Sequence, residues 1–167
     1  MYKLRLAVAG EENKALKIGD EGRIIMQDRD NPQWDTGYPQ LALLIEDIKH
    51  SRLYFAYDEV DPLNIIGMAV FQKEKDSEYE KENFWKLDGD YICIHRLVSI
   101  KKGLGKFILS EGLKLAKKEG KFVRIDTHPK NIPMQSLIRS FGFTVCGSFY
   151  QAEYIDGVDA IAFEIRP

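Results

Sequence analysis

Apolar and polar residues alternate from Tyr2 to Val8, the two-residue period of a half-buried strand. Over residues 11–30 the period becomes helical, with Ala15, Ile18, Ile24, Ile25 and Met26 on the side predicted to be buried. Asn31-Pro32 stops that helix, and Gln33 to Pro39 is a loop carrying two aromatics, Trp34 and Tyr38. Leu41 to Ile48 predicts a second, short helix. Leu53–Tyr57 and Ile65–Phe71 are predicted strands of a hairpin, with turn signals from Asp58 to Asn64.

Residues 74–90 break the pattern. Glu74, Asp76, Glu78, Glu80, Glu82, Asp88 and Asp90 face only three lysines, and the segment reads as a solvated loop with one helical turn, pinned to the body by Phe84 and Trp85. A strand rich in β-branched and aromatic residues follows, Tyr91–Ser99. Leu104–Glu119 is the strongest helix: Leu104, Ile108, Gly112 and Leu115 form one line and Leu109, Leu113 and Ala116 the next. Gly120 ends it after a lysine-rich last turn that suits the helix dipole. Phe122–Asp126 is a strand, and Asn131 is placed to cap a helix over Ile132–Ser140 with Pro133 in its first turn. Phe143–Tyr150 and Ala160–Ile165 are the last strands, joined through a turn at Asp156-Gly157. The order β α α β β β α β α β β implies one α/β or α+β domain spanning residues 1–167.

Composition narrows the picture modestly. The net charge of −2 argues against a general affinity for nucleic acid. Cys93 and Cys146 have no paired spacing and fit buried thiols in a reducing cytoplasm. His50, His95 and His128 lack metal-ligand spacing, so no metal is expected. The N-terminus lacks the apolar core of a signal peptide, and no apolar run approaches the ~20 residues that span a bilayer. The expected location is the cytoplasm, with no membrane partner.

Charge is distributed unevenly, however. Residues 101–130 carry nine Lys or Arg against three Asp or Glu. They follow a strand-to-helix corner, Lys101-Lys-Gly-Leu-Gly-Lys106. A helix start offers unpaired N–H groups and a partial positive charge, and therefore attracts phosphate. Glycine lets a ligand approach the backbone. Two familiar phosphate loops fail here. A Walker loop needs Gly at 100 and a hydroxyl at 107, which are Ile and Phe; a dinucleotide fingerprint needs Gly at 108, which is Ile. The plain alternative is a tight turn before a helix.

Several segments, in chain order, together resemble the GNAT superfamily of N-acetyltransferases. They are Gln33-Trp34 with Tyr38-Pro39 and Asp47-Ile48, then Ile94-His-Arg-Leu-Val98, Gly103-Leu-Gly105, Arg124-Ile-Asp-Thr-His128 with Asn131, and Phe141-Gly-Phe143. The likeness covers nearly the whole chain. It implies a mixed, mostly antiparallel sheet flanked by helices, with two parallel central strands splayed apart around acetyl-CoA. The implied cofactor contacts are Leu97, Val98 and Ser99 on the central strand, and Lys101, Lys102, Gly103, Leu104, Gly105 and Lys106 on the diphosphate loop. Asn131 and Met134 complete them. The implied reaction is direct acetyl transfer to a primary amine of a small molecule or peptide. A backbone N–H near Val98 or Ser99 would serve the developing oxyanion. The chain would work as a monomer or homodimer.

The chain departs from the family pattern twice. Ile100 stands where Gln or Arg opens the usual loop, leaving the charge to Lys101 and Lys102. Ile138 stands where a tyrosine often protonates the departing thiolate. Tyr150 and Tyr154 are candidate replacements, or packing residues. Histidine as a residue type titrates near ~6.5, which suits His95 to take the proton of the attacking amine; the alternative is a buried histidine bonded to backbone. Asp126 reads as structural, and His128 reaches the cofactor or nothing. Trp34 and Tyr38 would shape the acceptor pocket, since aromatic faces attract ammonium groups, or else pack their loop on the core. The departures also admit a non-catalytic acyl-CoA sensor on the same fold.

Overall fold

A computed structural model describes residues 1–167. Its elements are β1 (Tyr2–Leu6), α1 (Glu12–Gln27), a 3-10 turn (Pro32–Trp34), α2 (Leu41–Lys49), β2 (Leu53–Asp58) and β3 (Asp61–Gln72). A second 3-10 turn (Tyr79–Lys81) precedes β4 (Tyr91–Ser99), α3 (Leu104–Lys118), β5 (Phe122–Thr127), α4 (Ile132–Ser140), β6 (Thr144–Phe149) and β7 (Ala160–Ile165). The seven strands form one sheet in the order β1-β2-β3-β4-β5-β7-β6. Every neighbouring pair is antiparallel except β4 with β5.

The strand alternation distributes the core between two faces. Ala56, Ile66, Ala69 and Ile94 join Leu104, Ile108, Leu109 and Ala116 of α3 and Ile138 of α4 in the largest cluster. Leu53, Phe55, Met68 and Val70 pack on Ala15 and Ile18 of α1 and Leu44 and Ile48 of α2. Each Leu, Ile, Val, Phe or Met side chain fully buried here contributes about 1.5–3 kcal/mol. Ile138, at the position of the missing tyrosine, has no exposed surface and belongs to this core. Gly67 leaves no room for a side chain: a Cβ there would lie 2.6 Å from the Val98 carbonyl oxygen.

Two sequence expectations need correction. The hairpin turn is tighter than the run Asp58–Asn64 suggested, because β3 begins at Asp61, which pairs with Asp58; Pro62, Leu63 and Asn64 form an exposed irregularity before pairing resumes at Ile65. The acidic segment 74–90 is also not simply solvated. Tyr79 is buried, and Phe84, Trp85 and Leu87 pack with Tyr91, Phe122 and Phe149, so aromatic burial straps the segment onto the sheet despite its charge.

Candidate active site

The parallel ladder between β4 and β5 lasts for three pairs, Tyr91–Phe122, Ile92–Val123 and Cys93–Arg124. Beyond Cys93, β4 continues against β3 alone and β5 against β7 alone. Residues 95–99 therefore present a backbone edge with no strand beside it, an edge whose polar groups call for a partner. Along the same stretch, four residues of β4 (His95 to Val98) span the same register as three of β3 (Val70 to Met68). Arg96 takes up the extra residue at φ 52°, a left-handed conformation rare outside glycine.

A 460 Å³ cavity opens at this splay. The strap supplies Asp76, Glu78 and Tyr79; β4 supplies His95, Arg96 and Leu97; β5 supplies Asp126; the loop after α1 supplies Gln33, Trp34 and Tyr38. A narrower groove of 140 Å³ adjoins it, bounded by Gly22, Leu97, Val98, Ser99, Gly105, Pro133 and Leu137. Met26, Leu97, Asn131 and Met134 border both spaces, so they meet at the open edge of β4.

The groove ends at the start of α3. Gly103 is the residue before the helix and has φ 82°, a conformation that explains the glycine without any ligand. No side chain caps the helix, and the Leu104 N–H closes a turn on the Lys101 carbonyl. Lys101 and Lys102 are exposed there, and Ser99 donates its hydroxyl to the Lys101 carbonyl at 3.2 Å. These groups fit an anionic, extended ligand: unpaired N–H groups, nearby positive charge and an open strand edge are continuous.

The cavity is furnished with ionisable side chains held by neighbours. The Asp76 carboxylate lies 3.0 Å from His95 Nε2 and accepts through its other oxygen from the Glu78 and Tyr79 N–H groups, at 2.9 and 3.3 Å. Burial alone would raise the Asp76 carboxyl; the hydrogen bond and charge of His95, with those N–H groups, hold it below the ordinary value. The Tyr79 hydroxyl donates to Asp126 at 2.5 Å. Burial pushes Asp126 up, against the His95 charge and the Tyr79 hydrogen bond, and pushes Tyr79 well up. Arg96 donates to the Tyr38 hydroxyl at 2.6 Å and grips fully buried Asp47 through two nitrogens, at 2.7 and 2.9 Å; Arg52 reaches the same carboxylate at 2.8 Å. Tyr154 lines the cavity; its hydroxyl is buried and has no hydrogen-bond partner.

No protein-family model matches the sequence, and no curated protein matches it. Solved structures do. A GNAT-family acetyltransferase from Streptococcus agalactiae superposes with a TM-score of 0.79 over 98% of this chain and 94% of that one, at 24% identity. GNAT-family acetyltransferases from Listeria monocytogenes and Bacillus cereus give 0.73 and 0.63 at 14% and 15% identity, over 98% and 99% of this chain and 95% and 97% of theirs. The chain has the GNAT acetyltransferase fold. In this GNAT fold the parallel pair, its splay and the helix after β4 stand where the resemblance implied.

Of the residues singled out from sequence, Trp34, Tyr38 and His95 line the cavity, and Val98, Ser99 and Gly105 the groove. Leu97, Asn131 and Met134 line both. Leu104 is fully buried in the core rather than open to a ligand. The Asn131 side chain is already engaged, capping α4 at the Met134 N–H and donating to Gln33 at 2.7 Å. Tyr150 is 66% exposed and outside the cavity, because the chain leaves the sheet at Phe149 and turns outward. His128 has no exposed surface and is bonded to Asp156 at 3.0 Å, which removes it from any cofactor. Arg124, counted in the basic stretch, is buried and stacks on Trp85 and Tyr91. Asp126 belongs to the cavity wall, not only to the strand frame. The sequence reading missed Arg96, Tyr79 and Asp76 as site residues. The first was hidden by the bulge, the others by an acidic run that looks like surface. No helix is long and apolar enough to cross a membrane.

Proposed function

We propose that the protein is an acetyl-CoA-dependent N-acetyltransferase acting on a primary amine of a small molecule or peptide. The observation that carries this reading is the splay: the unpaired edge of β4 joins an uncapped, lysine-flanked helix start to a cavity holding a histidine–aspartate pair. In this reading residues 97–99 pair with the pantetheine arm, and Lys101, Lys102 and the start of α3 hold the diphosphate. When bound, acetyl-CoA supplies an activated acetyl thioester.

The chain's own groups then divide the work. Asp76 fixes the His95 ring; in the tautomer that gives its Nε2 proton to Asp76, His95 keeps the Nδ1 lone pair to take a proton from the acceptor ammonium. Asp126 makes no ion pair and favours a cationic acceptor in the same space. Tyr79, Tyr38 and Trp34 exclude water around it. A backbone N–H near Val98 or Ser99 offers a hydrogen bond to the oxygen that gains charge. The unpartnered Tyr154 hydroxyl takes the place of Tyr150 as donor to the leaving sulfur, because it is in the cavity and keeps its proton.

The experiment is an amine panel with acetyl-CoA, read as release of CoA thiol, alongside calorimetry of CoA binding. His95→Ala should lower turnover at neutral pH by about 10²–10⁴-fold, the usual worth of a positioned base, while CoA binds as before. An unchanged rate rejects His95 as the base. CoA binding with no amine supporting thiol release would replace the enzyme with an acyl-CoA sensor.

A further inference from the structure

Cys93 and His95 stand two residues apart on β4 and so project from the same face of the strand. Asp76 meets them from the strap. One donor atom of each residue lies within 4.8 Å of the other two. We propose that Asp76, Cys93 and His95 form a binding site for a divalent transition metal of the zinc class, and that metal bound there blocks acetyl transfer. The second half rests on the function proposed above; the first does not.

The donor set is specific. Thiolate, imidazole and carboxylate together suit Zn²⁺ or Co²⁺ and are wrong for Ca²⁺ or Mg²⁺, which take oxygen. Bonds of about 2.0–2.3 Å to a tetrahedral ion put donors roughly 3–4 Å apart, so the trio needs only a small contraction. The Asp76–His95 contact, at 3.0 Å, is already inside that range.

The surroundings hold Asp76 in place. Asp76 uses Oδ1 to cap the 3-10 turn of the strap, and its own N–H donates to the Tyr91 hydroxyl at 3.1 Å, which leaves Oδ2 aimed at His95. These are the supporting bonds that orient metal ligands. The Cys93 sulfur has no exposed surface and no hydrogen-bond partner, yet it sits beside two polar groups at the edge of an open cavity. Packing alone accounts for its burial but not for that company. Asp76 and His95 line the cavity, which gives an ion a way in. Three protein ligands leave a fourth position facing the cavity for water or an acceptor atom.

Binding involves no redox change: the Cys93 S–H bond breaks, its proton goes to solvent, and the sulfur pair forms the metal bond. With the ion on His95 Nε2 and Asp76 Oδ2, the ring proton moves to Nδ1, so His95 no longer has the Nδ1 lone pair that the transfer reaction uses, and Asp76 no longer orients the ring.

Co²⁺ titrated into the apo protein in a Cys146→Ser background should give a thiolate-to-cobalt absorption band that saturates at one equivalent. Cys93→Ser should abolish the band, and Asp76→Asn should weaken cobalt binding by more than the about 10–100-fold that a supporting residue typically costs. Zn²⁺ should displace the cobalt and suppress thiol release, and a chelator should restore it. Absence of a band with Co²⁺ in excess, or a band that survives Cys93→Ser, overturns the site. Should Cys93→Ser not fold, Asp76→Asn carries the test: a band of undiminished affinity in that variant overturns it equally. The cobalt band needs neither acetyl-CoA nor an amine, so it stands or falls separately from the acetyl-transfer reading.

Discussion

The two spaces at the open edge of β4 are built from different parts of the chain. The groove is bordered by small, apolar and uncharged polar residues, its one charged lining residue the exposed Arg29, with the exposed Lys101 and Lys102 near the start of α3. The cavity is lined by buried or half-buried ionisable side chains, each positioned by another: Asp76 with His95, Tyr79 with Asp126, Arg96 with Asp47 and Tyr38. A ligand held by backbone and loose charge tolerates many sequences around it. One held by interlocked side chains does not, because removing one member strands its partner in a poor solvent for charge. In this protein the groove should therefore tolerate substitution better than the cavity does.

The largest effect follows from Asp47. It has no exposed surface and balances both Arg96 and Arg52. Asp47→Asn keeps the shape and removes the charge, leaving Arg96 without a counter-charge and Arg52 with only the exposed Glu74, 3.9 Å away. A loss of about 3–5 kcal/mol is expected, the usual result of breaking a buried pair, measured as a fall in the urea midpoint. Arg96→Met should cost less, because Asp47 still has Arg52. If the order is reversed, the cavity wall is not organised around Asp47.

The same division decides what was legible beforehand. β4, α3 and the Lys101–Lys106 corner announce themselves because periodicity, a left-handed glycine and a helix start are local properties written in consecutive residues. Ile138 was marked as a departure for the same reason, and the structure answers it with a place in the core. The cavity depends on convergence. Asp76 and Tyr79 are 19 and 16 residues before His95 in the chain, in a run whose charge suggests solvent, and only the packing of Trp85 and Phe84 brings them down. Arg96 needs a bulge to aim it inward, and nothing in Ile94-His-Arg-Leu-Val98 signals a bulge. Tyr150 and Tyr154 looked alike because both lie after β6; the turn between them exposes the first and buries the second.

A smaller effect tests the groove. Lys101→Ala with Lys102→Ala removes two exposed charges, each worth about 0.2–1 kcal/mol, so CoA should bind roughly 2–30-fold more weakly. The deficit should shrink as salt is raised, since exposed charges are screened. Stability should stay level. A collapse of CoA binding would mean that these lysines act as a rigid clamp and that the groove resembles the cavity after all.

The smallest effect concerns α1, which carries Gly22 and Met26 into the groove wall. Its start is tied to β1 by Glu11, which accepts two hydrogen bonds from Arg5 at 2.7 Å, one from Lys14 at 2.9 Å and one from the Val8 N–H at 3.2 Å. The Arg5 hydrogen bonds, opposed by partial burial, lower the Glu11 carboxyl from 4.5 to about 2. A carboxyl lowered on folding stabilises the native state above its unfolded value and loses that contribution as pH falls toward its folded value. Glu11→Gln should therefore melt below the wild type near neutral pH, and the gap should close as pH falls from 4.5 toward 2. The comparison needs only melting curves at several pH values, with CoA binding at neutral pH as a second readout. If the gap persists undiminished in acid, the tether works through shape rather than charge, and the groove wall is as independent of ionisation as its backbone lining.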